Sequence, residues 1–394
     1  MTTGIIAEYN PFHQGHAWHI AQTRAAGANC IVVVMSSSAV QRGEFAIAQA
    51  SARARAALEH GADLVIALPA PWSCARAQDF ARGGVHLLRS LGCVERLSFG
   101  SESADLPLLR RAADLLKDES VVFSMRQAIG EGVSFAKARQ GALAQIDPQA
   151  AALLRSPNDT LAVEYLAAID YFCAKIEPFA VRREGARHDE IGGSGFPSAS
   201  ELRITCREDN LDKQILCEVP GAQHLRAEFS QGRAPVNMQR LERAWLARLR
   251  AMSLADFARL PDVSEGMEHL LRRAVREGTS IHSIISTVSN KRYPKARVRR
   301  ILFHALLGVE ATDFDMLPCF IRVLGCTAAG RELLRRAKTT AALPIITRHA
   351  GTRNLPEEVR RQYALECRTA DLMALAMPEI QSRGMEERRQ MIAL

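Results

Sequence analysis

Gly4-Ile5-Ile6-Ala7-Glu8-Tyr9-Asn10-Pro11-Phe12-His13-Gln14-Gly15-His16 is the stretch that decides the fold. It begins as a short apolar strand, Asn10-Pro11 signals a turn, and Gly15 opens a run of helical composition. A strand, a turn and a helix start in this order aim backbone N–H groups and the positive end of a helix dipole at one spot, where phosphates dock. His13 and His16, three residues apart, share one face of the first helical turn, and both imidazoles can donate to phosphate oxygens. Gly15 allows close approach. Two histidines at this spacing are more often ordinary surface or core residues; the strand, the Asn-Pro turn, the aromatic Phe12 and the HxGH spacing arriving together favour a phosphate site.

The pattern outward from this stretch alternates β-branched runs with Ala-rich helical segments, which predicts strands at Gly4–Ala7, Cys30–Met35, Asp63–Leu68 and Val94–Phe99. Helices fill the gaps: one from about Gly15, one from about Ala48 to His60, and one from about Ala75 to Leu91. The expected fold class is therefore α/β, a doubly wound parallel sheet. A helical block follows from Leu106 to about Cys173, and Phe179–Arg183 reads as one more strand. The turn Gly192-Gly193-Ser194-Gly195 leads into a helix cap. After about Cys206 the strand signal disappears and Pro220, Pro235, Pro261 and Pro294 punctuate helical segments, so the C-terminal region reads as all-α. Two parts are expected, residues 1–206 and residues 207–394.

A chain of 394 residues can bury two or three compact units. It carries no apolar run near the roughly 20 residues that cross a bilayer, and its N-terminus lacks the basic start of a secretion signal, so a cytoplasmic protein with no membrane partner is expected. The nine cysteines form no CxxC pair and no zinc spacing, and they read as reduced core thiols. The net charge of +8 comes from 51 Lys+Arg against 43 Asp+Glu. Its location matters more than its size: between Leu271 and Arg300 nine basic residues face one acid, Glu277. Lys291, Arg292, Lys295, Arg297, Arg299 and Arg300 flank a helix whose apolar face is Val298, Leu302, Ala305 and Leu306, so the arginines are expected to point outward beside Tyr293. Basic side chains for phosphates and an aromatic ring for an unpaired base suit a single-stranded RNA loop.

Ser198-Ala199-Ser200-Glu201-Leu202-Arg203 taken alone is a helix start, with Ser198 or Ser200 as N-cap and Glu201 in a capping box. It also resembles the second phosphate-binding motif that HxGH nucleotidyltransferases carry downstream of the first, a serine-rich turn followed three residues later by a basic residue.

These stretches, with Gln41-Arg42-Gly43-Glu44, Gly61-Ala62-Asp63-Leu64-Val65-Ile66, Phe99-Gly100-Ser101-Glu102 and Ser156-Pro157-Asn158, resemble the bacterial tRNA(Met) cytidine acetate ligases of the HxGH nucleotidyltransferase superfamily. Lys291-Arg292-Tyr293, Arg299–Gly308, Arg322-Val323-Leu324-Gly325 and Gly330-Arg331 extend the resemblance through the C-terminal half. The resemblance implies an HxGH nucleotidyltransferase-like Rossmann domain, followed by a helical tRNA-binding region. It implies acetate, ATP and elongator tRNA(Met) as reactants, acetyl-adenylate as intermediate, and N4 of the wobble cytidine as acceptor. Magnesium on the triphosphate is implied too, with no acidic cluster to name as its ligands, and no stable protein partner. The ATP-binding residues would be Ile6, Ala7, Glu8, Tyr9, Asn10, Pro11, Phe12, His13, Gln14, Gly15, His16, Ala17, Trp18 and His19, with Gly100, Asn158 and Arg183. Ser198, Ser200 and Arg203 belong to the second motif, and His13 and His16 are the catalytic candidates.

The chain departs from the family pattern at Ser36, Ser37, Ser38 and Ala39, where Ser-Gly-Asn-Phe is usual, and at Ala67, where an acid is usual. Rival readings are a small-molecule adenylyl- or cytidylyltransferase, which explains the first half only; a class I aminoacyl-tRNA synthetase, whose Lys-Met-Ser-Lys-Ser loop has only a faint echo in Ser289-Asn290-Lys291; and a non-catalytic RNA-binding protein.

Overall fold

A computed structural model describes residues 1–183, 198–207, 219–264 and 266–394. The Gly192–Gly195 turn read from the sequence lies outside the described residues. Five parallel strands form the centre of the main sheet: β1 (Thr2–Ala7), β2 (Cys30–Ser36), β5 (Leu64–Leu68), β6 (Arg96–Ser101) and β7 (Glu177–Arg182). β3 (Ala39–Val40) and β4 (Glu44–Phe45) make a separate antiparallel hairpin. The strand runs Val32–Met35 and Leu64–Leu68 are buried on both faces, which is why they read as unbroken apolar runs rather than alternating ones.

Sheet order runs β5-β2-β1-β6-β7. From β1 the chain winds one way through β2 to β5, then returns to place β6 on the other side of β1. The crevice outside the carboxyl ends of β1 and β6 is thus the topological switch point, the usual ligand site of such sheets. Helices α1 (Gln14–Ala25), α2 (Ala50–Glu59) and α3 (Ala77–Ser90) are the crossovers. α3 lies so close to β1 that a Cβ on Gly84 would sit 2.7 Å from the Ile6 side chain. Helices α4 (Leu106–Leu115), α5 (Glu119–Gly130), α6 (Phe135–Ile146), α7 (Pro148–Leu153) and α8 (Pro157–Tyr171) build the block before β7.

After α9 (Ala199–Arg207) the chain is mostly helical as expected: α10 (Ala222–Ser230), α11 (Glu242–Arg250), α12 (Leu254–Ala258), α13 (Met267–Glu277), α14 (Ile281–Val288) and α15 (Lys295–Leu307). It then departs from the all-helical expectation. β8 (Ile321–Cys326) returns to the main sheet and pairs antiparallel with β5, Leu64 opposite Cys326. α16 (Ala328–Thr340), the short β9 (Ile345–Ile346), α17 (Glu357–Ala374) and α18 (Met385–Arg388) follow, and β10 (Ile392–Ala393) pairs with β8. The sequence signal for β8 is weak because Arg322 interrupts it. That arginine is fully buried and neutralised by Glu386 at 2.7 Å. A charge that looks like a strand breaker is here an internal pair.

The eight described cysteines are all free, five of them buried and Cys173 exposed. Among the described residues no helix is long and apolar enough to cross a membrane.

Candidate active site

The loop Glu8–His13 leaves β1 at the switch point, and α1 begins at once with His13 as its N-cap. Two backbone N–H groups that would otherwise be orphaned at the helix start are taken by imidazoles. The Gly15 N–H donates to His13 Nδ1 at 3.0 Å, and the His13 N–H donates to His16 Nδ1 at 3.2 Å. The rings stack with centroids 3.7 Å apart at an interplanar angle of 30°. A Cβ on Gly15 would lie 2.9 Å from His13 Cε1, so the glycine makes room for the first ring.

The consequence is chemical. A ring nitrogen that accepts from an amide carries no proton, so each neutral imidazole holds its hydrogen on Nε2 and presents a donor. Burial holds His16 well below the usual imidazole range, with His13, Arg183 and His19 adding to the effect. Burial, then Arg183, pulls His19 down to about 4. His19 Nε2 lies 2.9 Å from Ser98 Oγ on β6, and Thr23 bonds the same hydroxyl, which ties α1 to β6 across the switch point. Tyr9 and Phe12 wall the histidines, their centroids 4.7 and 5.7 Å from that of His16. Ile6 and Ala7 end β1; Gln14, Ala17 and Trp18 follow along α1.

Gly100, Asn158 and Arg183 meet on the other side of the crevice. Arg183 continues from β7, its N–H bonded to the Ser101 carbonyl, and its guanidinium donates to Asn158 Oδ1 at 3.0 Å. Gly100 faces the Arg183 side chain closely. Glu102 accepts from the Asn158 amide side chain at 2.6 Å and from the Asp159 N–H at 2.9 Å, capping α8. That Arg183 depresses both His16 and His19 brings the two sides of the crevice within electrostatic reach of each other.

The second motif closes over the same loop. Ser198 Oγ accepts from the Glu201 N–H at 3.1 Å and caps α9, as expected. Arg203, 5% exposed, donates to the Asn10 carbonyl at 2.8 Å and to Ser200 Oγ at 2.9 Å. Arg42 reaches the same hydroxyl at 3.1 Å. Between these arginines lies Glu8. Burial raises its carboxyl, while the Gln41 N–H at 2.7 Å, Arg203 and Arg42 oppose the rise.

Sequence reasoning missed Arg53. It is buried in α2 and donates to the carbonyls of Ala48, Glu8, Ser36 and Ser37. One guanidinium thus fastens the Glu8–His13 loop to the end of β2. The signal was a lone arginine on the alanine face of a buried helix. The departures from the family pattern fall nearby. Ser36, Ser37 and Ser38 are buried, the Ser37 hydroxyl facing the Glu366 carboxyl and those of Ser36 and Ser38 without a partner among the described residues, and Ala67 lies inside β5 in the core.

The basic run needs correction. Val298, Leu302, Ala305 and Leu306 are buried as predicted, and Lys291, Arg292 and Lys295 are exposed. Arg297 and Arg300 do not point outward: Arg297 bonds the Asp262 carbonyl at 2.6 Å, and Arg300 Nε is buried. The hairpin covers Arg300, since Gly43 (φ 74°) sits where a Cβ would lie 2.9 Å from the Arg300 backbone N, while the Asp262–Ser264 turn holds Arg297. Arg299 is half-buried. Tyr293 is also buried, with the Arg292 and Arg297 guanidinium carbons 5.6 and 5.3 Å from its ring centroid. Its ring is packed from within rather than offered to a base.

A family model described as HIGH Nucleotidyl Transferase matches residues 1–388. A protein from Caldanaerobacter subterraneus subsp. tengcongensis named tRNA(Met) cytidine acetate ligase is 35% identical over 95% of this chain and 94% of its own. The chain belongs to the tRNA(Met) cytidine acetate ligase family. A ligase of that name from Fervidobacterium nodosum is 34% identical over 92% of this chain and 87% of its own. Among solved structures, Thermotoga maritima TmcAL superposes with a TM-score of 0.94 at 27% identity, covering 100% of this chain and 99% of that one. A second crystal form of that protein, bound with α-thio ATP, gives 0.92. The family likeness therefore runs through both halves, including the β8 return.

Proposed function

We propose that this chain activates acetate with ATP and acetylates N4 of the wobble cytidine in elongator tRNA(Met). The observation that carries the chemistry is the stacked His13–His16 pair at the switch point, both Nδ1 atoms held by backbone N–H groups. The relatives' names and the α-thio ATP bound to the Thermotoga maritima protein support ATP as the activating substrate and tRNA(Met) as the acceptor.

In the first step an acetate oxygen attacks the α-phosphorus, the bond to the bridging oxygen breaks, and pyrophosphate leaves. Two anions must meet, so fixed donors are what the protein has to supply. The Nε2–H groups of His13 and His16 and the Arg183 guanidinium provide them at one crevice, with the α1 dipole behind the two rings. Neutral imidazoles suit this role, since they donate without surrendering the cap bonds that hold them. Residues Ile6–His19 with Gly100 and Asn158 form the ATP bed, and Ser198, Ser200 and Arg203 clamp its loop. In the second step the cytidine N4 attacks the acetyl carbon, AMP departs with the carboxyl C–O bond, and N4 loses one proton. Among the described residues no His, Cys, Asp or Glu cluster is arranged for a metal ion; magnesium would be carried by the triphosphate oxygens.

Residues 1–206 then form the ATP-using part and residues 207–394 the RNA-binding part, the latter lending β8 to the sheet. Lys291, Arg292 and Lys295 are its exposed phosphate-binding side chains, with Arg299 at the edge. The deciding experiment is incorporation of labelled acetate into an unmodified elongator tRNA(Met) transcript with ATP and magnesium. ATP-dependent N4-acetylcytidine at the wobble position is expected; exchange of pyrophosphate without RNA acetylation would keep the adenylation and discard the acceptor.

A further inference from the structure

A cleft of about 480 Å³ opens away from the ATP loop, between the start of α3, the Pro261–Val263 turn, α15 and the Ala311–Phe314 turn. Its volume is in the range of sites for ligands of nucleotide size. It shares no residue with the ATP bed. Arg76, Asp79, Arg82, Asp262, His304 and Phe314 are its chemically telling walls.

His304 stands at its inner end, 1% exposed. One ring nitrogen is turned to the Cys74 backbone, a contact that favours the protonated ring, and the other has no partner among the described residues. A buried polar group left without a partner is costly, and here one sits on a ring that lines an open cleft. Burial takes His304 down to about 4, against the opposing pull of Asp262. The imidazole is therefore neutral near pH 7, and with its N–H turned to the Cys74 backbone it offers a bare acceptor nitrogen to the cleft. A phosphate has only acceptors and would leave the bare nitrogen unmet; the exocyclic amine of a nucleobase edge supplies the donor it lacks.

The carboxylates point the same way. Asp79 and Asp262 lie 2.7 and 3.7 Å from Arg76, so the cleft centre is not a plain anion hole, while a carboxylate accepts well from an exocyclic amine. Arg76, between these acids, and Arg82, its guanidinium 4.5 Å over the Tyr171 ring, line the cleft mouth where flanking phosphates would lie, and the Phe314 ring, 6.0 Å from the His304 ring, supplies an apolar wall. The position also fits. α15 carries His304 one turn after Arg300, whose backbone packs on Gly43, and the neighbouring Gln41 N–H holds Glu8 of the ATP loop.

We propose that this cleft holds one unstacked nucleotide of the RNA substrate, distinct from the acetylated base and bearing an exocyclic amine, read by His304 and Asp262 with its phosphates on Arg76 and Arg82. The inference rests on the RNA-acetylating reading of the family site. Two variants test it in the full chain: Ala311→Trp, which fills the mouth from an exposed position, and His304→Phe, which keeps the ring and removes its nitrogens. Acetate-dependent ATP–pyrophosphate exchange and KM for the tRNA(Met) transcript are measured for each. The expected result is a tRNA KM raised tenfold or more with exchange within twofold of the parent. Folded variants with an unchanged tRNA KM overturn the cleft assignment and leave the function standing. A parent enzyme that exchanges pyrophosphate but neither binds nor acetylates the transcript overturns the acceptor reading, and the cleft proposal with it. Saturation of the cleft by free cytidine or adenosine monophosphate that changes exchange but not tRNA binding overturns it in favour of an effector site.

Discussion

His13 Nδ1 accepts the Gly15 N–H while His16 Nδ1 accepts the His13 N–H, so the two stacked rings cap one helix and both direct Nε2–H away from it. The arrangement sets tautomer and orientation through the backbone, before any ligand arrives.

If those donors stabilise charge at the phosphates, His16→Ala lowers acetate-dependent ATP–pyrophosphate exchange by about 10²-fold or more, the scale of losing one preorganised donor. Exchange kinetics with labelled pyrophosphate check this. His16→Ala with parental exchange would remove the pair from the mechanism.

Arg183→Ala opens the far wall of the crevice. Because the residue is exposed and bonded chiefly to Asn158, the melting temperature should change little, while KM for ATP rises tenfold or more. Calorimetry and initial rates together separate binding from folding.

Arg53→Met should act in the opposite manner. It strips donors from the carbonyls of Glu8, Ser36, Ser37 and Ala48 at a buried site, and unsatisfied buried groups cost roughly 1–3 kcal/mol each. Denaturant titration is expected to show a loss of about 3 kcal/mol or more, with ATP binding lost alongside.

Acid stability follows from His19 and His304, each lowered to about 4 by burial. The unfolded chain binds their protons near the ordinary value of about 6.5, while the native state does not until about 4. Their contribution is therefore complete above pH 6.5 and lost as pH falls from 6.5 towards 4. Melting temperatures across that interval should drop, and His304→Phe should make the drop shallower.

Charge reversal at Lys291, Arg292 and Lys295 should weaken tRNA binding and reduce its salt dependence by about 0.7–0.9 in log–log slope for each phosphate no longer neutralised. Binding isotherms at several potassium chloride concentrations measure it. An unchanged slope would move the RNA path off this segment.

Much of this was legible in the sequence for a physical reason. Parallel strands buried on both faces, such as Val32–Met35, leave continuous apolar runs, and a helix start after β1 leaves the HxGH spacing. What escaped depends on partners distant in sequence. Arg322 hides β8 because its neutralising Glu386 lies 64 residues on. Arg297 and Arg300 looked like part of a solvent-facing basic helix because nothing local announces the Asp262 turn that holds Arg297 or the Gly43 that covers Arg300, and Tyr293 belongs to the apolar core beneath them. The Ser198 cap was local and was read correctly; the reach of Arg203 to Asn10 was not local and was not foreseen.

The pairing of Leu64 with Cys326 also bears on how the protein is made. β5 leaves the ribosome roughly 260 residues before its edge partner, which at about 5–20 residues per second is on the order of 10–50 s. Throughout that interval the nascent sheet presents an apolar strand with unpaired amides, the kind of edge that recruits other chains. The main sheet is thus complete only when translation is nearly finished, and a chain stalled before β8 would be an aggregation hazard rather than a partial enzyme.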